Sequence, residues 1–123
     1  MIDAILSAEE FRTKLNISDV FWHMASRYGK PYAVEGPCTI LELSIDEVFG
    51  CPLIMYACLQ ESEVCIIEDS INDLTNEYHG VFLNEADAFM YFEERKRAYA
   101  KDPYFVARAQ RQKTERSAHI LFF

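Results

Sequence analysis

The chain has 123 residues, half of them apolar, with nine Phe, seven Tyr, one Trp and a net charge of −8. That combination describes one globular domain with a real core and excludes a disordered or low-complexity chain. The stretch Met1–Glu10 has no basic leader or long apolar run, and no segment approaches the roughly eighteen apolar residues that suggest a membrane span. A cytoplasmic protein without membrane association is expected, its four cysteines held as free thiols by the reducing compartment.

Ser7-Ala-Glu-Glu10 forms a capping box, and Ala8, Phe11 and Leu15 follow at helical spacing, so a first helix is predicted over about 8–15. Ile17, Val20, Phe21, Met24 and Tyr28 recur at i, i+3, i+4, i+7 and i+11. They predict a second amphipathic helix, capped by Ser18 and stopped by Gly29 and Pro31, with Asp19, His23 and Arg27 on its wet face. A connection marked by Pro31, Gly36 and Pro37 leads to a short strand over 39–43. Ser44-Ile-Asp-Glu47 then repeats the capping box in a turn of helix ended by Gly50 and Pro52.

Leu53–Gln60 is apolar on both faces, as a central strand should be, and Glu63–Asp69 reads as its hairpin partner across the two residues Glu61 and Ser62. A two-residue turn makes opposed residue numbers sum to 123, which places Cys58 opposite Cys65. Residues 70–78 are mostly polar and read as a loop with about one helical turn. Gly80 opens a brief strand over 81–83, and Asn84 caps a helix with a buried stripe of Ala88, Phe89, Phe92 and Tyr99 and a Glu93–Arg97 surface pair. Asp102-Pro103 starts another helix to about Ser117, and His119–Phe123 reads as a terminal strand. The fold class expected is α+β: an antiparallel or mixed sheet of about four to five short strands, two N-terminal helices and two C-terminal helices. The predicted core includes Phe11, Val20, Phe21, Met24, Tyr28, Ile66, Phe89 and Phe92.

The residues that could carry chemistry do not gather into a motif. Cys38, Cys51, Cys58 and Cys65 contain no Cys-x-x-Cys, and none of His23, His79 and His119 lies three or four residues from another His or a Cys, so no metal or cofactor site is expected. The adjacent carboxylates Glu9-Glu10, Asp46-Glu47, Glu68-Asp69 and Glu93-Glu94 lack the cleft-spanning separation of an acid–base pair. No glycine-rich phosphate loop is present, and no catalytic residue is assigned.

Charge partition is more informative. Residues 1–94 hold eighteen acidic and four basic side chains, whereas residues 95–123 hold two acidic and eight basic. Glu61, Glu63, Glu68, Asp69, Asp73 and Glu77 fall within seventeen residues that contain no Lys or Arg, and they are the expected partner-binding residues. The expected partner is a protein with a basic surface. Small acidic inhibitors of nucleic-acid-handling proteins, such as toxin-immunity and phage or plasmid anti-defence proteins, share this profile. The basic residues Arg95, Lys96, Arg97, Arg108, Arg111 and Lys113 are candidates for contact with the acidic body of a second copy in a homodimer. They are also the basis of an alternative, nucleic-acid-associated function, which the acidic body disfavours. A second alternative is a small enzyme with a Cys–His site assembled by the fold.

Overall fold

The structure, a computed structural model, describes residues 2–60 and 62–101. Nine elements follow one another among the described residues: β1 (Ala4–Ile5), α1 (Ala8–Lys14), β2 (Val20–Arg27), β3 (Lys30–Ile45), β4 (Pro52–Gln60), β5 (Glu63–Ser70), α2 (Ile71–Leu74), β6 (Val81–Phe82) and α3 (Glu85–Lys101). The six strands make one sheet in the order β1-β6-β2-β3-β4-β5, and every neighbouring pair is antiparallel. The domain is α+β, but the sheet has six strands instead of four to five, and the helices among the described residues are one short N-terminal, one central and one long C-terminal, not two at each end.

The second predicted helix is β2, and the reason lies in which faces are covered. Phe21, His23 and Ala25 alternate onto the sheet face that carries α1 and α2, and all three are buried. Trp22 and Met24 alternate onto the other face, which α3 packs against. A strand covered on both sides is apolar at successive positions, and over eight residues such a run also satisfies a 3.6-residue period. The end of the segment decides between the two. Tyr28 and Gly29 both take positive φ, 55° and 81°, and Arg27 pairs with Lys30, so the chain turns through a two-residue hairpin instead of capping a helix. Asp19, His23 and Arg27 therefore share no wet helical face, and His23 is buried.

Two further expectations are corrected. The strand predicted over 39–43 belongs to the sixteen-residue β3, which absorbs the Pro31–Pro37 connection. The second capping box is no helix: Asp46 Oδ1 accepts the Val48 and Phe49 amides at 2.8 and 3.2 Å, forming the tight turn that joins β3 to β4. The polar 70–78 segment contains the single helical turn expected there, α2, whose Ile71 and Leu74 reach the core. The helix predicted over 103–117 and the strand predicted over 119–123 lie outside the described residues.

Other expectations are met. Ser7 Oγ accepts the Glu10 amide at 3.2 Å at the start of α1, and Asn84 Oδ1 accepts the Asp87 amide at 2.9 Å at the start of α3. The β4–β5 register pairs Gln60 with Glu63 and Cys58 with Cys65, as the two-residue turn requires. The core joins Ile5, Phe11, Leu15, Phe21, Ile40, Ile54, Tyr56, Ile71, Leu74 and Val81 on the α1/α2 side of the sheet. Phe21 sits at its centre, with its ring edge-on to Phe11 and Tyr56 at centroid distances of 6.0 and 5.3 Å.

Of the predicted core, Phe11, Phe21 and Met24 are fully buried and Phe92 is half-buried. Val20, Tyr28, Ile66 and Phe89 are exposed. Ile66 follows from strand alternation: with Val64 it lies on the face of β5 opposite the core, beyond the part of the sheet that α3 covers.

Candidate functional site: an acidic cleft beside a buried histidine

A cleft of about 210 Å³ opens between the β2–β3 hairpin and the β5–α2 junction, lined by His23, Ala25, Ser26, Tyr32, Glu35, Asp69, Asp73, Leu74 and His79. Each functional group arrives by a local rule. His23 and Glu35 are directly opposed across β2 and β3, so their side chains share the inner face. Asp69 is two residues beyond Ile67 on the inward-facing set of β5, and Asp73 follows in the first turn of α2. His79 comes from the turn before β6, where its Nδ1 lies 3.0 Å from the Met24 carbonyl oxygen. A carbonyl can only accept, so Nδ1 carries the proton, and in the neutral ring Nε2 keeps a lone pair.

His23 is the unusual member. Its side chain is 7 % exposed, and its Nε2 lies 3.2 Å from Glu35 Oε2. Neither ring nitrogen, however, has a hydrogen bond of acceptable geometry. The contact with Glu35 is close enough for strong electrostatic coupling but is not an aligned hydrogen bond. The imidazole, helped by the Gln60 amide at 3.5 Å, holds the Glu35 carboxyl below its ordinary range against the opposing effect of burial. The cleft thus contains three carboxylates, two imidazoles and no Lys or Arg. Arg27 rests its guanidinium 5.6 Å from the Tyr32 ring centroid without joining the lining.

The six acidic residues singled out in the sequence do not form one patch. Asp69 and Asp73 meet in the cleft. Glu63 sits at the far end of β5, opposite Gln60, and Glu68, the residue before Asp69, points to the other face of the sheet by strand alternation. Glu77 lies exposed in the turn after α2, where its backbone carbonyl accepts from the Tyr91 hydroxyl. Glu61 is outside the described residues. Glu35, His23 and His79 complete the cleft but were not legible as partners. They are 12 and 56 residues apart, and only the β2–β3 pairing and the return of the chain before β6 bring them together.

The basic candidates divide similarly. Arg95 lies 5.4 Å from the Tyr78 ring centroid, and Lys96 lies 4.9 Å over Phe92 and 3.5 Å from Glu93. The predicted Glu93–Arg97 pair is replaced by this Glu93–Lys96 contact, one residue closer on the helix. Arg97 lines a shallow groove with Phe89, Met90, Glu93 and Glu94. Arg108, Arg111 and Lys113 lie outside the described residues.

Three cysteines form a row across the sheet. Cys38 opposes Cys58, and Cys58 opposes Cys65. All four cysteines are free thiols. Burial pushes the Cys38 and Cys58 thiols up, away from the thiolate that nucleophilic chemistry needs. Among the described residues, no three His, Cys, Asp or Glu side chains are disposed to hold a metal ion, and no helix is long and apolar enough to cross a membrane.

No protein-family model matches the chain, no curated protein matches it in sequence, and no solved structure matches it.

Proposed function

We propose that this chain is an acidic binding module that acts inside the cell by docking on a protein partner with a basic surface, in the manner of a small inhibitor. One observation supports the reading above the others: Glu35, Asp69 and Asp73 converge on a cleft whose lining contains no Lys or Arg. Only the two imidazoles stand against this concentration of like charge, and His23 is engaged by Glu35, so Asp69 and Asp73 favour a partner that brings positive charge. The recess is smaller than the roughly 300–1,000 Å³ typical of small-molecule sites, which suits a partner's side chain better than a cofactor. Arg95 and Lys96 lie against rings and a carboxylate of their own chain, which makes them weaker candidates for phosphate contact.

The test is retention of a partner from cells that make this chain, with the wild type compared against Asp69→Lys/Asp73→Lys. A basic protein should be held by the wild type at low salt, released as salt rises, and not held by the variant. A variant that still folds and retains the same protein contradicts the reading.

A further inference from the structure

We infer that Cys65 and Cys58 form a peroxide-reactive thiol pair on the inner face of the sheet: Cys65 is the site of oxidation, and Cys58 closes a cross-strand disulfide on it. The pair stands apart from the acidic-module reading, since it uses neither the cleft carboxylates nor a partner.

The strand pairing places three thiols side by side. Cys38 on β3 is opposed to Cys58 on β4, and Cys58 to Cys65 on β5, so all three side chains share one face. Directly opposed residues of an antiparallel pair have Cα atoms about 4.5–5.5 Å apart, within the roughly 4.4–6.8 Å that a disulfide spans. The register that sets Cys58 against Cys65 is regular, running from Leu53↔Ser70 to Gln60↔Glu63 without a bulge. Accessibility is graded along the row. β5 is the edge strand and Cys65 is partly exposed, whereas Cys58 is 1 % and Cys38 0 % exposed. An oxidant arriving from water therefore meets Cys65 first. Cys51, also partly exposed, precedes β4 and lies outside the row. The row follows the sheet instead of closing around one point, and no metal-holding group of three such side chains exists among the described residues.

The oxidant is a hydroperoxide, and hydrogen peroxide is its simplest member. The Cys65 thiolate attacks one peroxide oxygen, the O–O bond breaks and hydroxide leaves, giving a sulfenic acid at Cys65. The Cys58 sulfur then attacks the Cys65 sulfur, the S–O bond breaks, and the hydroxyl departs as water with the Cys58 proton. Two thiols and one hydrogen peroxide thus become one disulfide and two waters. Burial pushes the Cys58 thiol up, and the hydrogen bond from Cys38 works against that rise. Cys58 need not ionise beforehand, because its proton leaves with the hydroxyl. Burial and its bond to Cys58 keep Cys38 itself protonated, so it does not displace Cys65 from the finished disulfide, a step that requires a thiolate. In a reducing compartment such a bond is transient, as sensing and catalytic disulfides are.

The experiment treats the folded, reduced wild-type chain with a small excess of hydrogen peroxide, blocks the remaining thiols with N-ethylmaleimide and maps the products by mass spectrometry. Glu61 and Glu63 lie between the two cysteines, so a glutamyl endopeptidase leaves them on separate peptides unless they are joined. The expected main product joins Cys58 to Cys65, is reversed by dithiothreitol, and forms with the circular dichroism of the fold unchanged. With dimedone present during oxidation, Cys58→Ala should raise the Cys65 adduct at least about tenfold over the wild type, because its sulfenic acid is no longer resolved. Cys51→Ser should leave the Cys58–Cys65 product as it was.

A main product that joins Cys38 to Cys58, a Cys58–Cys65 linkage that forms only in urea, or equal dimedone labelling of Cys65 in the wild type and Cys58→Ala would each overturn the assignment. If Cys58→Ala does not fold, the product map of the wild type decides alone.

Discussion

Replacing Phe21 and its neighbour Val20 by alanine separates the observed fold from the helical alternative. In a helix over 17–28 both residues would lie on one buried face. In β2 they point to opposite faces: Phe21 is fully buried, while Val20 is 40 % exposed. Phe21→Ala removes a ring held edge-on by Phe11 and Tyr56, each such pair contributing about 0.5–1.5 kcal/mol beyond area burial. With the cavity included, the cost should be about 3–5 kcal/mol. Against the roughly 5–15 kcal/mol total of a domain this size, that is a large fraction. Val20→Ala should cost less than about 1 kcal/mol, because much of its surface is already in water. Urea unfolding followed by far-ultraviolet circular dichroism provides the assay. With a slope of about 1–3 kcal/mol/M, the Phe21 variant should lose roughly 2 M in midpoint while Val20→Ala moves little. Equal losses at the two positions, or a Phe21→Ala cost below about 1 kcal/mol, would refute the alternation on which the cleft depends.

Gly36→Ala should destabilise by about 1–3 kcal/mol, because a Cβ there would lie 2.3 Å from Trp22 Cδ1 and 2.7 Å from Cγ, on a backbone with φ of +149°. Thermal melts followed by the fluorescence of Trp22, the sole tryptophan, will show whether it does. The Glu35 carboxyl is held low in the folded state by His23, so its contribution is present above the unfolded pKa and is lost as pH falls through the folded one. Glu35→Gln should therefore flatten the acid limb of stability against pH, and an unchanged limb would show that the pair contributes nothing. Under native conditions Cys51 and Cys65, which are partly accessible, should be alkylated well before the buried Cys38 and Cys58, as mass spectrometry of a timed reaction would reveal.

What could be read in advance was whatever local chemistry decides. Ser7 and Asn84 cap their helices because a side-chain oxygen meets an amide three residues on, and the β4–β5 register follows from the length of one turn. Residues 20–27 were legible as apolar but not as a strand. A central strand covered on both faces has no period-two signature, and Tyr28 is an uncommon residue at a positive φ, so the turn gave no Asn-Gly signal. The second capping box misled because Asp46 satisfies the same amides in a turn that it could satisfy in a helix. Of the candidate site, Asp69 and Asp73 were visible through the charge run. His23 and Glu35 were hidden because cross-strand opposition depends on the β2–β3 hairpin, and the helical phase had put His23 in water.

The central claim is the proposal that the acidic cleft holds a basic partner. It is tested most directly by comparing what the immobilised wild-type chain and Asp69→Asn/Asp73→Asn retain at matched ionic strength, with the fold of both checked by circular dichroism. Retention of a basic protein by the wild type alone is the predicted result. Equal retention by two equally folded chains would contradict it.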